Sequence, residues 1–154
     1  MSTDPDEIAR AAATAMWEGD RLSQALGMEI VEIAEGRATL TMPVRQDMAN
    51  GHGTCHGGMM FTLADSAFAF ACNSRNAVTV AQECLVTFLA PAHADDVLTA
   101  SAVERSRAGR SGIYDVTVTK TDGRTVAEFR GLSRTVRGHH RPDLALTEEE
   151  PRED

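Results

Sequence analysis

The stretch Gly51–Cys72, GHGTCHGGMMFTLADSAFAFAC, decides how this 154-residue chain must fold. After Gly57 and Gly58 it runs as an almost unbroken apolar segment at helical length, and Asp65 is the one charged side chain between Gly58 and Cys72. The pattern predicts a helix over about residues 56–73. A helix that is apolar nearly all round has no face to give to water and must be enclosed by the rest of the chain.

The flanking sequence supplies the enclosure. Upstream, Pro5–Trp17 reads as a short helix with Asp4 as its cap and Ile8, Ala11, Ala12 and Met16 on one face. Two short strands follow, Met28–Ala34 and Arg37–Val44. In the second, Ala38, Leu40 and Met42 alternate with Thr39 and Thr41, the signature of a half-buried strand. Downstream, strands are expected over Val78–Leu89, Val97–Arg105, Ile113–Lys120 and Thr125–Val136, with an Asp-Gly turn in Thr121–Arg124. Val78–Leu89 is apolar on both faces, which predicts an interior strand. The order gives an α+β domain, an antiparallel sheet wrapped around the long central helix. One small sheet leaves its edges open, so self-association is expected as well.

Composition narrows the partners. The formal charge of −8 argues against nucleic acid, whose phosphates need a basic face. Between Asp143 and Asp154 lie six acids and one arginine, so most of that charge sits at the end and the body is close to balanced. Residues 1–137 read as one domain and residues 138–154 as an acidic, mobile tail that includes His139 and His140. Cys55, Cys72 and Cys84 cannot all pair and none has CxxC spacing, which fits reduced thiols in the cytoplasm. The first residues show no basic segment followed by an apolar run, and no apolar run reaches the roughly 18 residues of a membrane span.

Asp65 then needs an explanation. An unpaired buried carboxylate costs several kcal/mol, so it must be hydrogen-bonded, open to a cleft, or protonated. The bland alternative is an outward-pointing or backbone-bonded aspartate. Its context favours chemistry. NGHGTCHGG brings four glycines and two histidines to the start of the helix. Gly57 and Gly58 would leave backbone amides uncrowded at the positive end of the helix dipole, a site for a developing oxyanion. An anion hole beside a carboxylate is the equipment for acyl transfer. Gly57 and Asp65 are eight residues apart, about 12 Å along one helix, so both cannot touch one carbonyl group. The spacing calls for two copies, with Gly57 from one and Asp65 from the other.

Other motifs carry less. His52 and His56 have HxxxH spacing, but Gly53 lies between them and there is no HExxH glutamate, so no metal site is assigned. Cys55 beside His56 invites a thiolate reading, yet sequence neighbours rarely orient as nucleophile and base. GHGTCHGG does not match GxGxxG. Arg105, Arg107 and Arg110 form the densest basic cluster. It is either a solvated strand end or a grip for phosphates, which guanidinium groups hold in bidentate fashion. Met59, Met60, Phe61, Phe68 and Phe70 read as core.

NGHGTCHGG and FTLADSAFAFACNSRN, with Phe88–Pro91 (FLAP), Arg110–Val118 (RSGIYDVTV) and Thr125–Gly131 (TVAEFRG), resemble the hotdog-fold acyl-CoA thioesterases of the phenylacetate-degradation (PaaI) type. The likeness spans roughly residues 20–137. It implies a hotdog fold assembled as a dimer or dimer of dimers, and hydrolysis of phenylacetyl-CoA or its ring-hydroxylated forms with no metal or other cofactor. Asp65 would be nucleophile or base for water. The Gly57 amide of the facing subunit would polarise the carbonyl, with Asn50 near the water or carbonyl and His56 beside the oxyanion site. Gly58, His52, Arg107 and Arg110 would contact substrate. Asp95 departs from the glycine that relatives often carry before the next strand. A hotdog enoyl-CoA hydratase or dehydratase using Asp65 with His56, and a non-catalytic acyl-CoA-binding module, are the competing functions.

Overall fold

A computed structural model describes residues 4–145. Helix α1 (Pro5–Gly19) begins at Asp4, whose side chain accepts the Asp6 N–H, with Pro5 in the first turn. Its buried face is Ala9, Ala12 and Ala13. The expected Ile8 and Ala11 sit at its half-buried margins, one residue out of phase. Helix α2 (Arg21–Ala25) follows directly, then strands β1 (Glu29–Ala34) and β2 (Arg37–Pro43). The central helix α3 (Gly57–Cys72) leads into β3 (Ala77–Phe88), β4 (Val97–Ala108), β5 (Ser111–Thr119) and β6 (Thr125–His139). This is the hotdog fold.

The six strands form one antiparallel sheet in the order β1-β2-β4-β5-β6-β3. Because α3 joins β2 near one edge to β3 at the other, it crosses the concave face and is wrapped on the way. Ala38, Leu40 and Met42 of β2, Leu98, Ala100 and Ala102 of β4, and Tyr114, Val116 and Val118 of β5 all point inward, as their alternation predicts. They meet Leu63, Ala64, Ala67, Phe68 and Ala71, none more than 1% exposed. Gly131 of β6 makes room for the helix: a Cβ there would lie 2.7 Å from the Phe68 ring.

Two expectations change. The strand read as interior, β3, is an edge strand within the chain. It pairs with β6 alone, and Leu85, Phe88 and Leu89 are more than half exposed. Its two apolar faces satisfy the sequence pattern of a covered strand, but this chain supplies a neighbour on one side only. The first residues read as tail, from Gly138, are also held to the body. β6 runs to His139, and the His140 N–H bonds Asn76 O at 3.0 Å while the Arg141 N–H bonds Asn76 Oδ1 at 2.8 Å. His140 Nε2 lies 2.6 Å from Asn73 Oδ1. Asn76, held at φ 76°, turns its amide into a stand-in for strand backbone, a role asparagine tolerates in the left-handed region. The acidic stretch beyond Ala145 lies outside the described residues.

Candidate active site

The loop before α3 is built by Asn50. Its Oδ1 accepts the N–H groups of His52 at 2.9 Å and Thr54 at 3.2 Å, and its Nδ2 donates to Thr54 Oγ1 at 2.9 Å. Backbone bonds from His56 N to Met48 O and from Cys55 N to Ala92 O pin the loop to the body. Asn50 is thus committed to shaping the turn, and His52 stands exposed on it. Cys55 is buried, and that burial, followed by the charge of Asp96, pushes its thiol pKa up, so it is no thiolate nucleophile.

His56 caps α3, its ring Nδ1 accepting the Gly58 N–H at 3.2 Å. The expectation of two free amides is therefore corrected to one. Gly58 is taken by the cap, whereas the Gly57 N–H has no acceptor among the described residues, as befits the first turn of a helix. Above Gly57 lies the ring of Phe88, so close that a Cβ on residue 57 would sit 2.9 Å from its Cζ. The free amide opens beside an aromatic wall.

Two turns along α3, Asp65 is half-buried, and among the described residues it accepts no hydrogen bond and pairs with no cation. Burial first, then the nearby charge of Asp20, raises its carboxyl pKa above the usual value. Cys72, further along the helix, and Cys84, on β3, feel the Asp65 charge; burial drives the Cys72 thiol up to about 12 and raises that of Cys84. Asp65 therefore lies within electrostatic reach of Asp20 at the α1–α2 joint and of Cys84 on β3. One chain cannot bring it to Gly57, because a single straight helix separates them by about 12 Å.

The arginines divide. Arg105 pairs with Asp115 at 3.3 Å and Arg107 with Glu104 at 3.5 Å, while Arg110 has no carboxylate partner among the described residues. Arg110 lines a cleft of about 470 Å³ at the C-terminal end of α3, together with Arg134, Thr79, Ser111, Ser133 and Gly112. Arg134 is also without a carboxylate among the described residues. It was invisible as part of a cluster because it lies across the sheet, paired with Ser111 in the β5–β6 register. The strand alternation that aligns β5 with β6 was the signal that would have found it. Arg75, also on the cleft, is neutralised by Glu35 at 2.8 Å and Glu104 at 2.8 Å. The cleft thus offers two unspent guanidinium groups amid hydroxyls, a surface for phosphate. Cys72 on its wall is seven residues past Asp65, about 10 Å, but about 22 Å past Gly57.

Comparison with known proteins gives the chain its relatives. The profile of the thioesterase superfamily matches residues 52–127. Acyl-coenzyme A thioesterase PaaI of Escherichia coli K12 is 46% identical over 126 residues, covering 82% of this chain and 90% of the relative. The solved structure of the E. coli PaaI protein from the phenylacetic acid degradation operon superposes with a TM-score of 0.87 at 43% identity, over 88% of this chain and 99% of that one. A mutant of the phenylacetic acid degradation protein PaaI from Thermus thermophilus gives a TM-score of 0.73 at 38% identity, over 76% and 100%.

Proposed function

Because this chain belongs to the thioesterase superfamily, as an acyl-CoA thioesterase of the PaaI kind, we propose that it hydrolyses aromatic acyl-CoA thioesters, phenylacetyl-CoA or its ring-hydroxylated forms, at sites shared by two copies. The aromatic acyl group is supported by the relatives named for phenylacetic acid degradation and by the Phe88 ring beside Gly57. The observation that carries the shared site is the pair of unspent groups on one helix: a free Gly57 N–H and an unpartnered Asp65, too far apart to act on one carbonyl. The open edge and apolar faces of β3 supply the surface through which two copies would join, and a dimer of dimers would follow from further pairing.

In this mechanism the thioester carbonyl oxygen accepts the Gly57 N–H of one subunit. Asp65 of the other, with its raised pKa, takes a proton from water as the hydroxide adds to the carbonyl carbon. The tetrahedral intermediate then collapses, the C–S bond breaks, and Asp65 gives its proton to the departing sulfur, so that free acid and CoA thiol leave and the carboxylate is restored. Direct attack by the Asp65 carboxylate is the other route through the same groups. Asn50 and His56 work one step back, Asn50 shaping the loop and His56 drawing off the Gly58 amide so that Gly57 alone faces the substrate. Arg110 and Arg134 hold the CoA phosphates, with Arg107 on the same cleft, whereas the exposed His52 stands on the loop before α3, away from that cleft. No helix among the described residues is long and apolar enough to cross a membrane, and three free cysteines fit a cytoplasmic enzyme. A hydratase would need the His56 ring as the partner of Asp65 in an acid–base pair, and the Nδ1 of that ring is already spent on the Gly58 N–H.

Complementation tests the shared site. Gly57→Val and Asp65→Asn homo-oligomers should both be inactive, and mixing them after unfolding should restore about a quarter of wild-type activity if two composite sites form per dimer. Mixed oligomers with no recovery would refute it.

A further inference from the structure

We propose that Asp20, Ser23 and Ser66 are positioning residues for Asp65: a hydrogen-bonded chain from the α1–α2 joint that fixes the turn of α3 bearing the carboxyl group and stands a second negative charge behind it. This rests on the catalytic reading of Asp65. Asp20 closes one helix and opens the next. Its N–H bonds Trp17 O at 3.1 Å, ending α1, and its Oδ1 accepts the Ser23 N–H at 3.1 Å, capping α2. Its Oδ2 accepts the Ser23 hydroxyl at 2.7 Å, and Ser23 Oγ lies 2.9 Å from Ser66 Oγ. A hydroxyl has one proton, and that of Ser23 goes to the carboxylate, so Ser66 must donate to Ser23. The chain has a direction, Ser66 to Ser23 to Asp20, and it runs through a serine only 1% exposed.

Ser66 directly follows Asp65 on α3. A serine in mid-helix ordinarily bonds the carbonyl four residues back or turns to water. Here its hydroxyl ties the helix to an element 43 residues away in sequence. Asp65 accepts no hydrogen bond of its own among the described residues, so its direction is set by how firmly this turn is held. The charges around it are few. Asp20 faces it from the α1–α2 joint, while the thiols of Cys84 on β3 and Cys72 on α3 are kept neutral by burial. From β1, β2, β4, β5 and β6 the side chains packed in the core around α3 include Ile33, Leu40, Ala100, Val116 and Phe129, all apolar. Among the described residues, Asp20 is the charge that acts on Asp65.

Two variants separate charge from tether. Asp20→Asn keeps the volume and the cap, since asparagine caps as well as aspartate, but removes the charge. The acid limb of its kcat/KM–pH profile should move down by roughly 0.5 to 1 pH unit with the melting temperature nearly unchanged. Ser23→Ala keeps the charge and cuts the chain. Its kcat should fall roughly 3- to 10-fold with KM and the acid limb in place. A purely structural role for Asp20 would leave the acid limb where it is. Either an unmoved limb in Asp20→Asn or wild-type kcat in Ser23→Ala overturns the proposal. Should Asp20→Asn not fold, Asp20→Ser, which also caps without charge, is read for the same limb. Asp65→Asn serves as the control: if it turns over normally, the catalytic reading beneath falls, whereas an inactive Asp65→Asn with an unmoved Asp20→Asn limb sinks this inference alone.

Discussion

Replacing Gly57 with alanine should separate catalysis from stability more cleanly than any other single change. The backbone of residue 57 is not in the left-handed region, so alanine is sterically allowed there. As a helical residue it is favoured over glycine by up to about 0.5–1 kcal/mol, less in the first turn. Against this, the new Cβ would lie 2.9, 3.1 and 3.2 Å from three atoms of the Phe88 ring, inside ordinary contact distance. Phe88 ends a strand and is 51% exposed, so its ring can withdraw by a few tenths of an ångström at a cost of about 1 kcal/mol. The two effects offset, and the melting temperature should stay within about 3 °C of wild type.

Activity should not survive so well. A carbonyl oxygen has to come within about 3 Å of the Gly57 N–H, through the space that the methyl group and the displaced ring now fill. A misplacement near 1 Å costs about 100-fold, and loss of an oxyanion donor about 100- to 1,000-fold. Gly57→Ala should therefore lower kcat by about 100-fold in an assay of thiol release from an aromatic acyl-CoA. Adding Phe88→Ala removes the ring and should recover part of that loss, which divides the effect between ring and methyl. Wild-type kcat in the single variant would refute the assignment of Gly57 as the oxyanion donor. So would a large fall in melting temperature, because the loss would then be one of folding.

Asp65→Asn should lose activity by orders of magnitude yet melt no lower than wild type at pH 7. Its carboxyl pKa is raised, so the folded state favours the protonated form; that contribution is full below the unfolded value and is lost as pH rises, and melts at pH 4 and 7 should show the variant's advantage only at the higher pH. Arg110→Ser and Arg134→Ser should each raise KM for acyl-CoA by about tenfold and leave short thioesters without the nucleotide unaffected, whereas Arg107→Ser, already paired with Glu104, should do less. Gly131→Ala puts a Cβ 2.7 Å from a Phe68 ring wedged between Tyr114 and Phe129 and 1% exposed, so about 1–3 kcal/mol should be lost and the melting temperature should drop by about 3–10 °C; an unchanged melt would mean the helix can lift off the sheet.

The fold was legible because α3 is apolar on nearly every side and β2, β4 and β5 alternate with period two. Those patterns are local and name their own burial. That Gly57 and Asp65 stand two turns apart on one helix was legible from spacing, which sequence gives directly. What escaped depends on contacts between elements. That His56 would spend the Gly58 amide follows from a ring torsion, and no residue pattern encodes it. Arg134 joins Arg110 only through strand register, and Asp20 approaches Asp65 only because α1 and α2 meet over the middle of α3. The docked residues after Gly138 were hidden by polar composition, since Asn76 and Asn73 hold them by amide hydrogen bonds.

The misplaced strand teaches something different. Val80, Leu85, Phe88 and Leu89 carry the composition of a covered strand, and each is 46% exposed or more in the chain by itself. A long, apolar edge strand is a liability that proteins blunt with charge, proline or a cover. β3 has Glu83 and a register shift between Ala81 and Glu83, but no proline among its residues. If β3 of a second copy ran antiparallel beside it, the pattern read as interior would be right for the assembly, and each α3 would lie alongside its counterpart. The strand that gives the wrong answer for one chain and the helix spacing that one chain cannot use then have the same remedy. Disrupting the edge, for instance with Leu85→Asp, should dissociate the protein and abolish activity together, as followed by sedimentation; an active monomer would defeat both arguments at once.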